Sequence, residues 1–189
     1  MNQVDRIVEI WNDHIAVARA LAGLAPDVSR AVDLIAGAFE AGGRLFLAGN
    51  GGSAADAQHI AAELTGRFMR ERRPFPAMAL HANTSALTAI GNDYGYEHVF
   101  ARELSAHGRG GDVLFSISTS GNSPNILRAI EVARERGIHT IGLTGEVGGA
   151  LRTACDLCLM VPSRSTPRIQ EMHITIGHTI CELIEARLC

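Results

Sequence analysis

Five short apolar runs punctuate the chain: RLFLAG (44–49), PAMAL (76–80), DVLFSIS (112–118), HTIGLTG (139–145) and LCLMVP (157–162). Each is short and nearly free of charge, the pattern of strands buried on both faces of a parallel sheet. Stretches with helical spacing separate them. NILRAIEVARERG (125–137) places Ile126, Ala129, Ile130 and Ala133 on one stripe and stops at Gly137, as a helix with a glycine stop does. This alternation predicts an α/β fold, a doubly wound five-stranded parallel sheet flanked by helices and flavodoxin-like in plan. Ligands of such sheets sit at the carboxyl ends of the strands, so the chemistry belongs in the loops that follow them.

Two helices precede the first strand and are not needed to build the sheet. In the first, Val4, Val8, Trp11, Ile15, Ala18 and Ala22 recur at steps of four and three, the seam of a helix packed lengthwise on another. That seam either packs on its own domain or forms a subunit interface; we favour a homo-oligomer bundled across a two-fold axis. The chain then divides into an N-terminal oligomerisation segment (1–42) and an α/β core (43–189) within a single domain.

Composition narrows the function. A formal charge of −3 with scattered Lys and Arg leaves no broad basic face for nucleic acid. The N-terminus MNQVDRIVEIW has no apolar leader region, and no run approaches the roughly 18 residues a membrane span needs, so the expected location is cytoplasmic, away from membranes. Cys155 and Cys158 form a C-x-x-C, but they fall in ACDLCLMVP, expected to be a buried strand on which residues three apart face opposite ways. Cys181 and Cys189 complete no second pair, so all four are expected to be packing and tail residues.

Two strand-to-helix loops carry the strongest local signal. Asn50-Gly51-Gly52-Ser53 follows the first run, and Thr119-Ser120-Gly121-Asn122-Ser123-Pro124 follows DVLFSIS. Free amides and the dipole at a helix N-terminus attract phosphate. Capping is the competing explanation: Ser53 with Asp56 fits a capping box, and Ser123 before Pro124 fits an N-cap. The three successive hydroxyls of Ser118, Thr119 and Ser120 exceed what one cap requires. Neither loop fits the nucleotide motifs, so a sugar phosphate suits them better.

His59 and Glu63 lie four apart on the helix that the first loop starts, sharing one face. Ala54, Ala55, Ala57, Ala61 and Ala62 keep that helix slim. RIQEMHITIGHTICELIEARL (168–188) is a second helix, apolar but for a polar set that includes Gln170, His173 and His178. A histidine there is more often a satisfied core residue than a ligand. Gln170 and His178 are about 12 Å of helical rise apart, so one ion could reach both only between them. Arg67, Arg70, Arg72 and Arg73 in RFMRERRP are the one basic cluster, either a solvated loop or the mouth of a site.

Taken together, AGNGGSAADAQHIAAELTGRF, LTAIGNDYGYEHVFAREL, GDVLFSISTSGNSPNILRAI, IGLTGEVGG and VPSRSTPRIQEMHI resemble the sugar isomerase (SIS) family and, within it, the phosphoheptose isomerases. The resemblance runs from about residue 40 to the C-terminus. It implies a homotetramer with active sites between subunits, converting sedoheptulose 7-phosphate to D-glycero-D-manno-heptose 7-phosphate for bacterial envelope heptose. It further implies one zinc ion per subunit, held by His59, Glu63, Gln170 and His178. Substrate contacts would come from Asn50, Gly51, Gly52, Ser53, Asn92, Asp93, Ser118, Thr119, Ser120, Ser123 and Gln170. Some relatives carry Asp just before the Arg-Ile-Gln-Glu motif, where this chain has Pro167.

Moving a carbonyl from C2 to C1 of a sugar needs a base for a carbon-bound proton and an acid/base for the oxygens. Glu63 is the expected base, His178 the oxygen-side acid/base, and Asp93 an orienting or assisting carboxylate. The competing reading is a non-catalytic SIS tetramer that binds the replication initiator DnaA. Its helix lacks the glutamate, and it has Ser-Thr-Arg where this chain has Ser118-Thr119-Ser120. A sugar-phosphate sensor domain is a third reading, but no DNA-binding segment accompanies this one.

Overall fold

The computed structural model describes residues 2–189. Helices α1 (Gln3–Ala20) and α2 (Ala25–Glu40) lead into β1 (Leu45–Gly49), α3 (Gly52–Thr65), β2 (Ala77–Ala79), α4 (Thr84–Tyr94), α5 (Val99–His107), β3 (Val113–Ile117) and α6 (Pro124–Glu135). Then follow β4 (His139–Gly145), α7 (Leu151–Ala154), β5 (Leu157–Val161) and α8 (Thr166–Leu188). All five strands are parallel, in the order β2-β1-β3-β4-β5, with Leu45 beside both Ala77 and Val113, and Ile141 beside Leu157. The predicted sheet is therefore present, its strands within a residue or so of the apolar runs. β2 is shorter than PAMAL suggests, because it is an edge strand and Pro76 before it has no N–H to pair.

Side chains of β1 and β3 alternate between two apolar layers. Leu45, Leu47, Val113 and Phe115 face α2, α3 and α8, packing with Ile35, Ile60, Ile176 and Ile180. Phe46 and Leu114 face the other way, toward Phe100 and Leu104 of α5 and Ile126 and Ile130 of α6. Ile126, Ala129, Ile130 and Ala133 are all buried, as their stripe requires. Burying each large side chain contributes about 1.5–3 kcal/mol, so sandwiching the sheet between two helical layers fixes its strand ends firmly.

The seam of α1 is largely uncovered within one chain: Val4 is 67% exposed and Trp11 64%, with Val8 and Ile15 also exposed. Only the end of α1 joins the core, through Val17, and two polar contacts tie the helix to α8. Arg168 Nη1 donates to Ile10 O at 2.6 Å, and His14 Nδ1 lies 2.8 Å from Glu171 Oε2. Among the described residues, no helix is long and apolar enough to cross a membrane.

Two local expectations are corrected. Ser53 does not cap α3: the N-cap is Gly51, without a side-chain bond, and Ser53 is buried in the first turn. Cys155 is not on a strand but closes α7, while Cys158 lies in β5. Burial, chiefly, pushes their thiols up to about 12 and about 11, so both stay protonated and serve packing.

Candidate active site

β1 and β3 are neighbours at the centre of the sheet, and the chain leaves them in opposite directions, so their following loops meet at the topological switch point. The backbone N–H groups of Gly51, Gly52, Thr119, Ser120 and Ser123 find no acceptor among the described residues. They lie at the N-termini of α3 and α6 or in the loops leading to them, where the helix dipole adds partial positive charge. Five unused donors in two adjacent loops are able to hold an anion.

Ser123 is the N-cap of α6 by position, but makes no capping bond; its hydroxyl instead sits 3.0 Å from that of buried Ser118. The capping explanation for Ser123 is thus corrected, because the neighbouring serine offers the better partner. Ser120 Oγ accepts the N–H of Asn122 at 3.2 Å, whose carbonyl Oδ1 in turn accepts Ala150 N at 2.9 Å. A cavity of about 370 Å³ opens beside these loops, lined by Asn50, Tyr96, Glu97, Ser123, Pro124 and Asn125.

The loops are joined by a pair that sequence reasoning missed. Asn50 Nδ2 donates to Asn125 Oδ1 at 2.9 Å and Asn125 Nδ2 donates back to Asn50 Oδ1 at 2.8 Å. Asn125 is buried, and Tyr96 hydroxyl reaches Asn50 Oδ1 at 3.3 Å.

α3 and α8 run side by side in the same direction. Gly177 makes this approach close, since a Cβ there would sit 2.5 Å from Ile60 Cδ1. The consequence is that His59 Nε2 meets His178 Nε2 at 2.9 Å, with Glu63 Oε1 3.4 Å from His59 Nε2. Ligand atoms of His59, Glu63 and His178 all lie within 4.8 Å of one another, and the site is half-open to solvent. Two imidazoles and a carboxylate converging with an open side form a donor set suited to zinc, which takes three protein ligands plus water or substrate in catalytic sites. Phe68 backs the group, its ring centroid 5.5 Å from that of His178.

Other predicted residues are placed differently. Gln170 lies against the start of α3, where a Cβ on Gly52 would meet its Nε2 at 2.6 Å, and it makes no hydrogen bond to the three donors. Asn92 and Asp93 are exposed at the end of α4, with Asn92 Nδ2 donating to Asp93 Oδ1 at 2.8 Å and no side-chain bond to either loop. Asp56 shares the stripe of His59 and Glu63; its Oδ2 is buried without a partner, and burial raises its carboxyl, opposed by the nearby His59. Cys181 is held up to about 12 by burial and by the charges of Glu63 and Glu185, and so remains a thiol. His81 is lowered by burial and bonds Ala54 O at 3.0 Å. His173 is fully buried without a well-formed hydrogen bond, and burial pushes it down to about 4, making it a neutral core residue.

The fold and this pairing of amide-rich loops with a polar trio suit a sugar isomerase, and comparison with known proteins gives the family. A SIS domain family model matches residues 13–145, so the chain belongs to the SIS domain family and, within it, to the phosphoheptose isomerases. It is 57% identical over 169 residues to the phosphoheptose isomerase of Rhodospirillum rubrum, covering 89% of this chain and 90% of that one. Identity to the enzyme of Citrifermentans bemidjiense is 56% over 176 residues, covering 93% and 92%. The solved structure of a phosphoheptose isomerase from Neisseria gonorrhoeae superposes with a TM-score of 0.93 at 42% identity, covering 98% of this chain and all of that one. The chain is thus an isomerase with the SIS fold.

Proposed function

We propose that this isomerase converts sedoheptulose 7-phosphate to D-glycero-D-manno-heptose 7-phosphate, in the cytoplasm, as the first step of bacterial heptose biosynthesis. The observation that carries the reading is the convergence of His59, Glu63 and His178 beside the helix whose N-terminus forms half of the anion site. The phosphate is held by the free amides of Gly51, Gly52, Thr119, Ser120 and Ser123, with Ser53 and the hydroxyls of Ser118, Thr119, Ser120 and Ser123 around them. Asn50, Asn92, Asp93 and Gln170 contact the sugar.

The Glu63 carboxylate takes a proton from C1 to give an enediol and returns it to C2, while His178 moves a proton between the two oxygens. Zinc held by His59, Glu63 and His178, with Gln170 as fourth ligand, would polarise the carbonyl and orient its neighbouring hydroxyl. Glu63 can act as base only while it is not fully engaged as ligand, so the two roles alternate. Asp93 assists or orients. Residues 1–42 act as the oligomerisation segment of a homotetramer, which covers the exposed seam of α1 and places active sites between subunits, and 43–189 form the catalytic core.

Sedoheptulose 7-phosphate incubated with the purified protein should yield an aldoheptose phosphate by NMR. No turnover with zinc present would overturn the reading and favour a binding role such as capture of the replication initiator.

A further inference from the structure

α3 ends two residues after Glu63, in the turn where intrahelical hydrogen bonds run out and fraying begins. The carbonyls of that turn are not left to water. Arg72 Nη2 donates to Glu63 O at 2.8 Å, and Nη1 donates to Leu64 O at 2.8 Å and Gly66 O at 3.0 Å. Its Nε donates to Glu185 Oε1 at 2.9 Å. The same carboxylate accepts the backbone N–H groups of Phe68, Met69 and Arg70 at 2.8, 2.8 and 3.0 Å. Both side chains are buried, 2% and 1% exposed, so Arg72 belongs neither to a solvated loop nor to a site mouth.

Glu185 stands seven residues beyond His178 on α8, two turns along the same face. The trio is therefore bracketed. On one side Gly177 packs on Ile60; on the other the ion pair joins the end of α3 to α8. Such a pair is poor evidence for stabilisation as such, because desolvation offsets its Coulombic gain and apolar residues of similar volume often serve as well. Its contact with the carbonyl of Glu63 gives it a different task.

We propose that Arg72 and Glu185 are positioning residues for the His59, Glu63 and His178 site, capping the last turn of α3 and locking it to α8 so that Glu63 and His178 keep the separation the chemistry requires. The inference rests on reading that trio as the metal and catalytic site. Lysine cannot replace Arg72, since one ammonium cannot span several carbonyls and a carboxylate as the planar guanidinium does.

Arg72→Lys tests this directly. Arg72→Met combined with Glu185→Leu is the second variant; it removes both charges together and leaves no buried ion unpaired. Ile130→Ala, in the opposite apolar layer, is the control for general destabilisation. Two quantities are read on folded protein: zinc affinity, by competition with a chromogenic chelator, and kcat and KM for sedoheptulose 7-phosphate. Both clamp variants should bind zinc about 10–100-fold more weakly, the usual loss when groups supporting a ligand are removed. Their kcat should fall about 10-fold or more, while KM stays within about two-fold. Ile130→Ala should change neither. Wild-type zinc affinity and kcat in both clamp variants, or equal losses in Ile130→Ala, would overturn the proposal. If the wild-type protein binds no zinc and is fully active without it, the metal reading fails, and the split between kcat and KM alone decides the clamp.

Discussion

Asn50 and Asn125 face each other amide to amide, each donating an N–H to the carbonyl oxygen of the other. This reciprocal pair bolts the β1–α3 loop to the start of α6 and so sets the spacing of the two amide-rich loops. In Asn125→Asp the carboxylate still accepts from Asn50 Nδ2 but sets oxygen against oxygen at the other bond. A buried acceptor left without a donor costs about 1–3 kcal/mol. The variant should melt lower and show a KM for the sugar phosphate raised several-fold. A lowered melting temperature with unchanged Michaelis parameters would make the pair structural only.

Glu63→Gln keeps the shape of the side chain and removes its basicity. It should fold normally and lose isomerisation by about two orders of magnitude or more, the lower range for removing a general base. Circular dichroism and a coupled turnover assay check both halves, and near-normal turnover would eliminate Glu63 as the base.

Stripping metal with a chelator should lower activity, and added zinc should restore it. The fold should survive throughout, because none of the three side chains belongs to either apolar layer. His59→Ala should hold less zinc by elemental analysis. Full turnover by protein shown to be metal-free would leave an acid/base pair acting alone.

Ser120→Ala loses a hydroxyl that accepts the Asn122 N–H, so a small stability loss of about 0.5–1.5 kcal/mol is expected. Loss of a bond to a charged phosphate should lower kcat/KM by about 10–150-fold. Ser123→Ala should likewise weaken substrate capture, but any stability loss would come from the broken contact with Ser118, not from a helix cap. Unchanged kcat/KM in Ser120→Ala would place the phosphate elsewhere.

His173 introduces a pH dependence of stability. Its native pKa is lowered to about 4, below the unfolded value, so between about 4 and 6.5 the unfolded chain binds the extra proton. Its contribution is complete above about 6.5 and declines as pH falls toward about 4, with a slope of at most about 1.4 kcal/mol per pH unit. His173→Leu should flatten that part of a stability profile from urea melts. An unaltered slope would show that another group is responsible.

The strands were legible because a parallel sheet buried on both faces demands unbroken apolar runs, and the loops because glycine and hydroxyl residues directly followed them. Caps were less legible: Ser53 fits a local pattern, yet the tight turn at Gly51 begins the helix earlier and carries the serine inside. Asn125 gave no local signal, since its role depends on a residue 75 positions away. Glu185 did leave one. A carboxylate on the stripe of Cys181, Ile184 and Leu188 has to be paired, and the arginine cluster held its partner, but nothing in the spacing says which arginine turns inward.

Because α3 and α8 run in parallel, the helical rise works as a ruler. The N-terminus of α3 at Gly52 marks one end of the paired helices, and His59 with His178 mark a point seven residues on, about 10 Å along the axis. On the proposed reaction, a sugar phosphate gripped by its phosphate at the first mark must be long enough to bring its carbonyl end to the second. A three- or four-carbon ketose phosphate would bind by its anion and stop short of the base, a dead-end occupant. The backbone hydrogen bonds of two helices would then select for chain length, with no side chain needed to recognise the missing carbons.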